Sequence, residues 1–406
     1  MNARPSRTAS AVVAGVLLAF LAGCAGTQKT ATGPVFFPPS PNLPRLQYLT
    51  GFSNSADLKG EADSFNLVSI GKKVQDRVEK IIKPTSITSR GGKLYVADIS
   101  GQLLIIDPPK KTIEQLKGNQ GLGKLKKPVG VAVDKAGFVY VADVGKKEVL
   151  IYDEKGEYLK SVAGDGDLNP TDIAVFDNEL YVMDTRKSLI RVFDPASGAT
   201  LREIGRVAGE PAKSISLPTK MSIDGQGVIR VSNAGRGEIT SYDRDGHFLG
   251  SFGKFGDGMG QFSRPKGITA DANGYVYVVD SGFQNVQVFN ENGRLLTYFG
   301  SPKLPVGGMN LPCDISISSE DLPYYQGLAD RNFEVSEVIF VANQFGDPKI
   351  SLYALGKQRG VDYDKVYQRA AQERERKAQE KLKREKLPEG EQAGKQVSQN
   401  ALPIAP

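Results

Sequence analysis

Few side chains in this chain of 406 residues are equipped for catalysis. Histidine occurs once, as His247. A protein zinc site draws on several His, Cys or carboxylate ligands. A Ser-His-Asp set needs a histidine beside its nucleophile. The sequence therefore predicts no metal site, no cofactor and no histidine-dependent hydrolase or lyase centre, and His247 reads as a surface residue on an outer strand. Cysteine occurs twice, as Cys24 and Cys313. Cys313 follows Pro312 at the start of an apolar run and reads as a small buried hydrophobe, not as a nucleophile. "GDGMGQF" (Gly256–Phe262) lacks the Lys-Ser/Thr pair of a phosphate loop and reads as a connection. The remaining charged candidates are Asp172, Lys220 and Asp314. Two carboxylates beside a lysine are able to hold an anionic group or a hydrated cation, but they fall short of the six to eight oxygens a calcium ion takes. The plain alternative is a solvated polar rim.

What aligns those three residues is a repeat. Pro84, Pro128, Pro170, Pro218, Pro265 and Pro312 each open an alternating apolar run and stand 42–48 residues apart. A second strand follows each, ending at Asp98, Asp143, Asp184, Asn233, Asp280 and Asn343. A third strand and usually a fourth complete the unit, as in "EVLIYD" and "RLLTYFG". Short strands of period two, bounded by Gly, Asp and Asn, argue for an all-β fold. Four strands repeated every 40–50 residues are the pattern of a β-propeller, so six blades are predicted. The second residue after each proline is Ser86, Gly130, Asp172, Lys220, Gly267 or Asp314. Such positions line the axis, while the apolar residues between them pack between blades. The aspartates closing each second strand read as turn caps.

The last repeat lacks a fourth strand. "RLQYLTGFS" (Arg45–Ser53) precedes the first repeat and matches "RLLTYFGS" (Arg294–Ser301), so it is expected to complete blade six and close the ring. These repeats resemble the NHL family over residues 45–356, best in repeats two and five. The resemblance implies a six-bladed propeller with loop-built binding faces. It also leaves open a lactonase-like hydrolase or small-ligand alternative that uses the axial channel. The chain has no Trp, which argues against WD40 blades.

The N-terminus tells where such a ring would work. Arg4 and Arg7 precede the apolar stretch Ala9–Gly23, too short for a membrane span and right for a signal-peptide core. Leu21-Ala22-Gly23-Cys24 resembles the lipobox of bacterial lipoproteins, which implies removal of residues 1–23 and lipidation, with palmitate among the acyl groups, on Cys24. Ala25 rather than Asp after the cysteine favours the outer membrane, on either its periplasmic or its surface face. Pro-rich residues 24–44 read as an extended tether, with Val35–Pro39 packed on the domain. Residues 357–387 read as a charged helix, and 388–406 as a disordered tail.

A net charge of +6 is mild for this length and suggests no nucleic-acid partner. Repeat six carries an insertion at Ser319–Glu337, where Tyr324, Tyr325, Arg331 and Phe333 are residue types favoured at interface hot spots. The expectation is a monomeric, lipid-anchored, non-catalytic scaffold for envelope or secreted proteins. The insertion is its first candidate contact and Asp172, Lys220 and Asp314 the second.

Overall fold

The computed structural model describes residues 33–60, 78–163 and 166–385. The signal segment, Cys24 and the stretch 388–406 lie outside the described residues. Six antiparallel sheets form, each starting at one of the six prolines, and their inner strands stand side by side around an axis. Blade three is representative, with strands Pro170–Phe176, Glu179–Asp184, Leu189–Phe193 and Thr200–Ile204. Its middle strands are buried on both faces because neighbouring blades cover them, which is why "LYVMD" and "LIRVF" read as nearly continuous apolar runs.

Blade six joins both ends of the chain. Its sheet runs in the order Val35–Phe37, Leu46–Phe52, Ile350–Gln358, Phe333–Asn343, Pro312–Ser318. Leu46 pairs with Leu355 and Phe52 with Ile350, so the early strand supplies the missing outer position. Phe52 then joins Ile87, Leu94, Leu104, Phe340 and Leu352 in one core cluster spanning blades six and one. The strand Val35–Phe37 was not foreseen as a strand. It lies within the stretch expected to be an extended tether, and adds a fifth strand against Leu46–Tyr48. Phe37 is buried against Phe299 and Tyr353, at ring-centroid distances of 6.3 and 6.1 Å.

Every blade ends its second strand on a buried Asp or Asn, and in every blade but the third this side chain does more than cap a turn. Asp98 accepts from Ser100 N in its own turn (3.0 Å) and from Ile82 N and Lys83 N in the incoming connection (2.7 and 2.8 Å). Asp280 does the same with Gly282 N (2.8 Å), Ser263 N (2.7 Å) and Arg264 N (3.1 Å). One carboxylate thus fixes both a hairpin and the connection that delivers the inner strand of its own blade. Buried backbone donors need such partners.

The helix Tyr363–Glu385 leaves the ring where the third strand of blade six ends. Its first turn is pinned: Tyr363 donates from its hydroxyl to Pro44 O at 2.5 Å, and the Arg45 guanidinium lies 4.7 Å from the Tyr363 ring centre. No described helix is long and apolar enough to cross a membrane.

Candidate functional site

The axial positions come together as an ion cluster closed on itself. Asp172 is delivered by blade three, Lys220 by blade four and Asp314 by blade six, each at the same register of its inner strand. Their side chains are only 6, 7 and 9% exposed. The Lys220 ammonium reaches Asp172 Oδ1 at 3.1 Å, Asp314 Oδ2 at 3.1 Å and the Val129 carbonyl oxygen of blade two at 3.2 Å. A lysine has three N–H donors. All three are engaged, so in place of a solvated rim the axis carries a buried lock.

The carboxylates are saturated from the other side. Asp172 Oδ2 accepts from Met221 N of blade four at 2.8 Å, and Asp314 Oδ2 accepts from Ile87 N of blade one at 3.0 Å. Ser86 Oγ makes the same link to Val131 N of blade two at 3.3 Å. In blades one, three and six the axial side chain therefore holds the inner strand of the next blade. The glycines in this ring have a matching role. A Cβ on Gly267 would come within 2.5 Å of Asp314 Cα, and one on Gly130 within 3.0 Å of Asp172 Cα. Both must be glycine for the neighbouring carboxylate strands to pack this close to the axis.

Two carboxylates share one ammonium here, and burial is the main influence on their proton affinities. Burial pushes the Asp172 carboxyl up to about 6; Lys220 opposes the shift and the Asp314 charge adds to it. Burial works to lower the Lys220 ammonium, but Asp172 and Asp314 together hold it above its ordinary value of 10.5. Cys313, beside the lock, donates from its thiol to Pro84 O and Ala342 O at 3.3 and 3.4 Å. Burial and then the Asp314 charge raise that thiol to about 12, far from a thiolate at neutral pH.

His247 sits in the turn before the outer strand Phe248–Phe252, not within it. With Asp243 and Asp245 it forms the one grouping of metal-type ligands among the described residues. The contacts there are those of a turn: Asp243 accepts from Asp245 N and His247 N at 3.0 and 2.8 Å and meets His247 Nδ1 at 2.8 Å. Asp153 builds the same turn in blade two, and Asp271 repeats its bonding pattern between the first two strands of blade five, both without a histidine.

The insertion is divided. It folds as a short helix, Leu322–Leu328, followed by the long strand Phe333–Asn343. Tyr325 and Phe333 are buried, in correction of their expected place at a contact surface. The Tyr325 ring stands 5.9 Å from Phe340 and 5.0 Å from Tyr324, while Phe333 stands 5.6 Å from Phe36. Gln326 locks the loop by donating to Phe333 O (2.8 Å) and accepting from Val335 N (3.0 Å). Tyr324 is half-buried and Arg331 is exposed, leaving these two available to a partner. Tyr325→Ala is expected to cost about 3–5 kcal/mol of stability, and Arg331→Ala no more than about 0.5 kcal/mol. Denaturant melts of the two variants check this.

No protein-family model matches the chain. Among solved structures, it is similar to a protein of unknown function from Bacteroides thetaiotaomicron at 16% identity, covering 68% of this chain and 70% of that one, with a TM-score of 0.51. Virginiamycin B lyase from Staphylococcus aureus aligns at 14% identity over 68% of this chain and 96% of its own, with a TM-score of 0.47. A chain of a nidogen/laminin complex aligns at 15% identity over 56% and 85% of the two chains, with a TM-score of 0.45. Likenesses this distant speak to fold alone, and the fold is a six-bladed β-propeller closed by its own N-terminal strand.

Proposed function

We propose that this chain is a lipid-anchored protein of the outer membrane, and that its NHL-like propeller is a non-catalytic scaffold for other envelope or secreted proteins. The observation that carries the reading is the axial lock. Where a propeller enzyme would need an open channel with convergent free groups, Lys220 fills the axis and spends its donors on Asp172, Asp314 and Val129. Binding then falls to loops held on a rigid ring. The lipobox-like run ending at Cys24 supports the membrane location.

In-cell photo-cross-linking from position 331, followed by mass spectrometry, tests the reading. A specific envelope or secreted protein joined to the insertion is the expected product. The reading fails if no protein is captured and the purified chain turns over a lactone or binds a small ligand in a way that Lys220→Met abolishes. The competing axial function would then stand.

A further inference from the structure

We propose that one face of the propeller lies directly on an anionic lipid bilayer. The face is the one formed by the connections between blades and by the turns between second and third strands. Seven large apolar side chains among the described residues are more than half exposed, and six of them sit here: Ile82, Leu122, Leu217, Phe255, Met259 and Phe345, at 52–80%. Only Leu249, on an outer strand, lies elsewhere. Scattered exposed apolar residues are ordinary on a protein surface, but six of the seven gathered on one face point to a contact there.

Their distribution selects the occupant. Ile82 precedes blade one, Leu122 lies between blades one and two, and Leu217 between three and four. Phe255 and Met259 lie between four and five, and Phe345 in a turn of blade six. They are loop tips spread around a ring, which suits a flat apolar phase better than a peptide in one groove. Exposed cations stand between them, including Lys124, Lys126, Arg206, Lys254, Arg264 and Lys303, and they outnumber the exposed acids of the same loops, Asp167, Glu210, Asp257 and Asp347. The opposite face mixes signs, with Glu154, Asp177, Glu291 and Glu320 near Lys155 and Arg294. Apolar tips with interleaved Lys and Arg bind anionic membrane surfaces by combining apolar insertion with charge attraction.

The path of the chain agrees. Leu46–Phe52 runs toward this face, and Val35–Phe37 is antiparallel to it, so the Val35 end of that strand lies on the bilayer side. The helix Tyr363–Glu385 starts at the opposite face, as does the insertion with Arg331. The membrane and the partner are thereby assigned to opposite faces. The inference goes beyond the anchored scaffold and does not depend on acylation of Cys24.

The test uses the chain from Ala25 onward with Cys24 absent, which keeps every described strand. Co-sedimentation is measured with vesicles of phosphatidylglycerol and phosphatidylethanolamine, and with vesicles of phosphatidylcholine. Binding to the anionic vesicles should be at least tenfold stronger. The combined variant Leu122→Ser, Leu217→Ser and Met259→Ser should lower it at least tenfold with an unchanged melt. Because the chain has no Trp, Met259→Trp supplies a single reporter. Its emission should shift to the blue on anionic vesicles and be quenched by brominated lipid, while Lys155→Trp on the opposite face stays unchanged. Equal quenching at both positions, or no preference for anionic vesicles, overturns the proposal. Capture of polyglutamate without vesicle binding also overturns it, and assigns the face to an acidic protein instead.

Discussion

Removing residues 33–53 should abolish the cooperative melt of the propeller or lower its midpoint by at least about 15 °C. The deletion takes away Leu46 and Phe52, which are fully or nearly fully buried, and Phe37, which is largely so. Burying side chains of this kind contributes about 1.5–3 kcal/mol each. Tyr48, packed 5.4 Å from Tyr353, goes as well. The sum approaches the whole stability of an ordinary domain, about 5–15 kcal/mol. The deletion also bares the backbone edge of Ile350–Gln358, an invitation to pair with another chain. A synthetic peptide spanning 33–54 should restore the monomer and its melt. A truncated protein that melts like the intact one would show that blade six closes without this strand.

Lys220→Met should destabilise the fold by about 3–5 kcal/mol, because it leaves Asp172 and Asp314 buried and facing each other without their shared cation. The combined variant Lys220→Met, Asp172→Asn and Asp314→Asn should recover most of that loss, since buried ion sets replaced as a whole are often near neutral. The same cluster sets a pH dependence. Asp172 takes its proton at about 6 in the fold against an ordinary 3.8 when unfolded. The folded state binds more protons between those values, so this group's contribution to stability grows as pH falls from 7 toward 4 and shrinks as it rises. Asp172→Asn should flatten that segment of the stability curve. Denaturant melts across pH read both effects.

The blades were legible because period-two runs and turn residues are local. The closing strand was legible because "RLQYLTGFS" repeats the outer-strand pattern of "RLLTYFGS". Other features depend on what the ring brings together. Sequence placed Asp172, Lys220 and Asp314 at one register, yet whether water separates them depends on the radius left by six inner strands, two of them glycine at that level. The second job of strand-ending aspartates such as Asp98 and Asp280 is not legible locally, because their other partners lie 16 or 17 residues upstream, in the connection that enters the same blade. Tyr325 and Phe333 misled because aromatic residues serve cores and interfaces alike. Only the neighbouring Phe340 and Phe36 decide between the two. Val35–Phe37 was obscured by the prolines on both sides, which argue against a central strand but permit an edge.

Whether the axis is locked or open is the point on which a face-binding scaffold and an axial enzyme part. Nitrogen-detected NMR of the lysine ammonium groups, with Lys220→Met to assign the signal, measures it directly. The locked axis predicts one ammonium whose protons exchange with water far more slowly than those of the exposed lysines, and which stays protonated above pH 10.5, because Asp172 and Asp314 hold it. A Lys220 signal that exchanges as fast as the surface lysines and titrates with them would contradict the account and reopen the channel as a binding site.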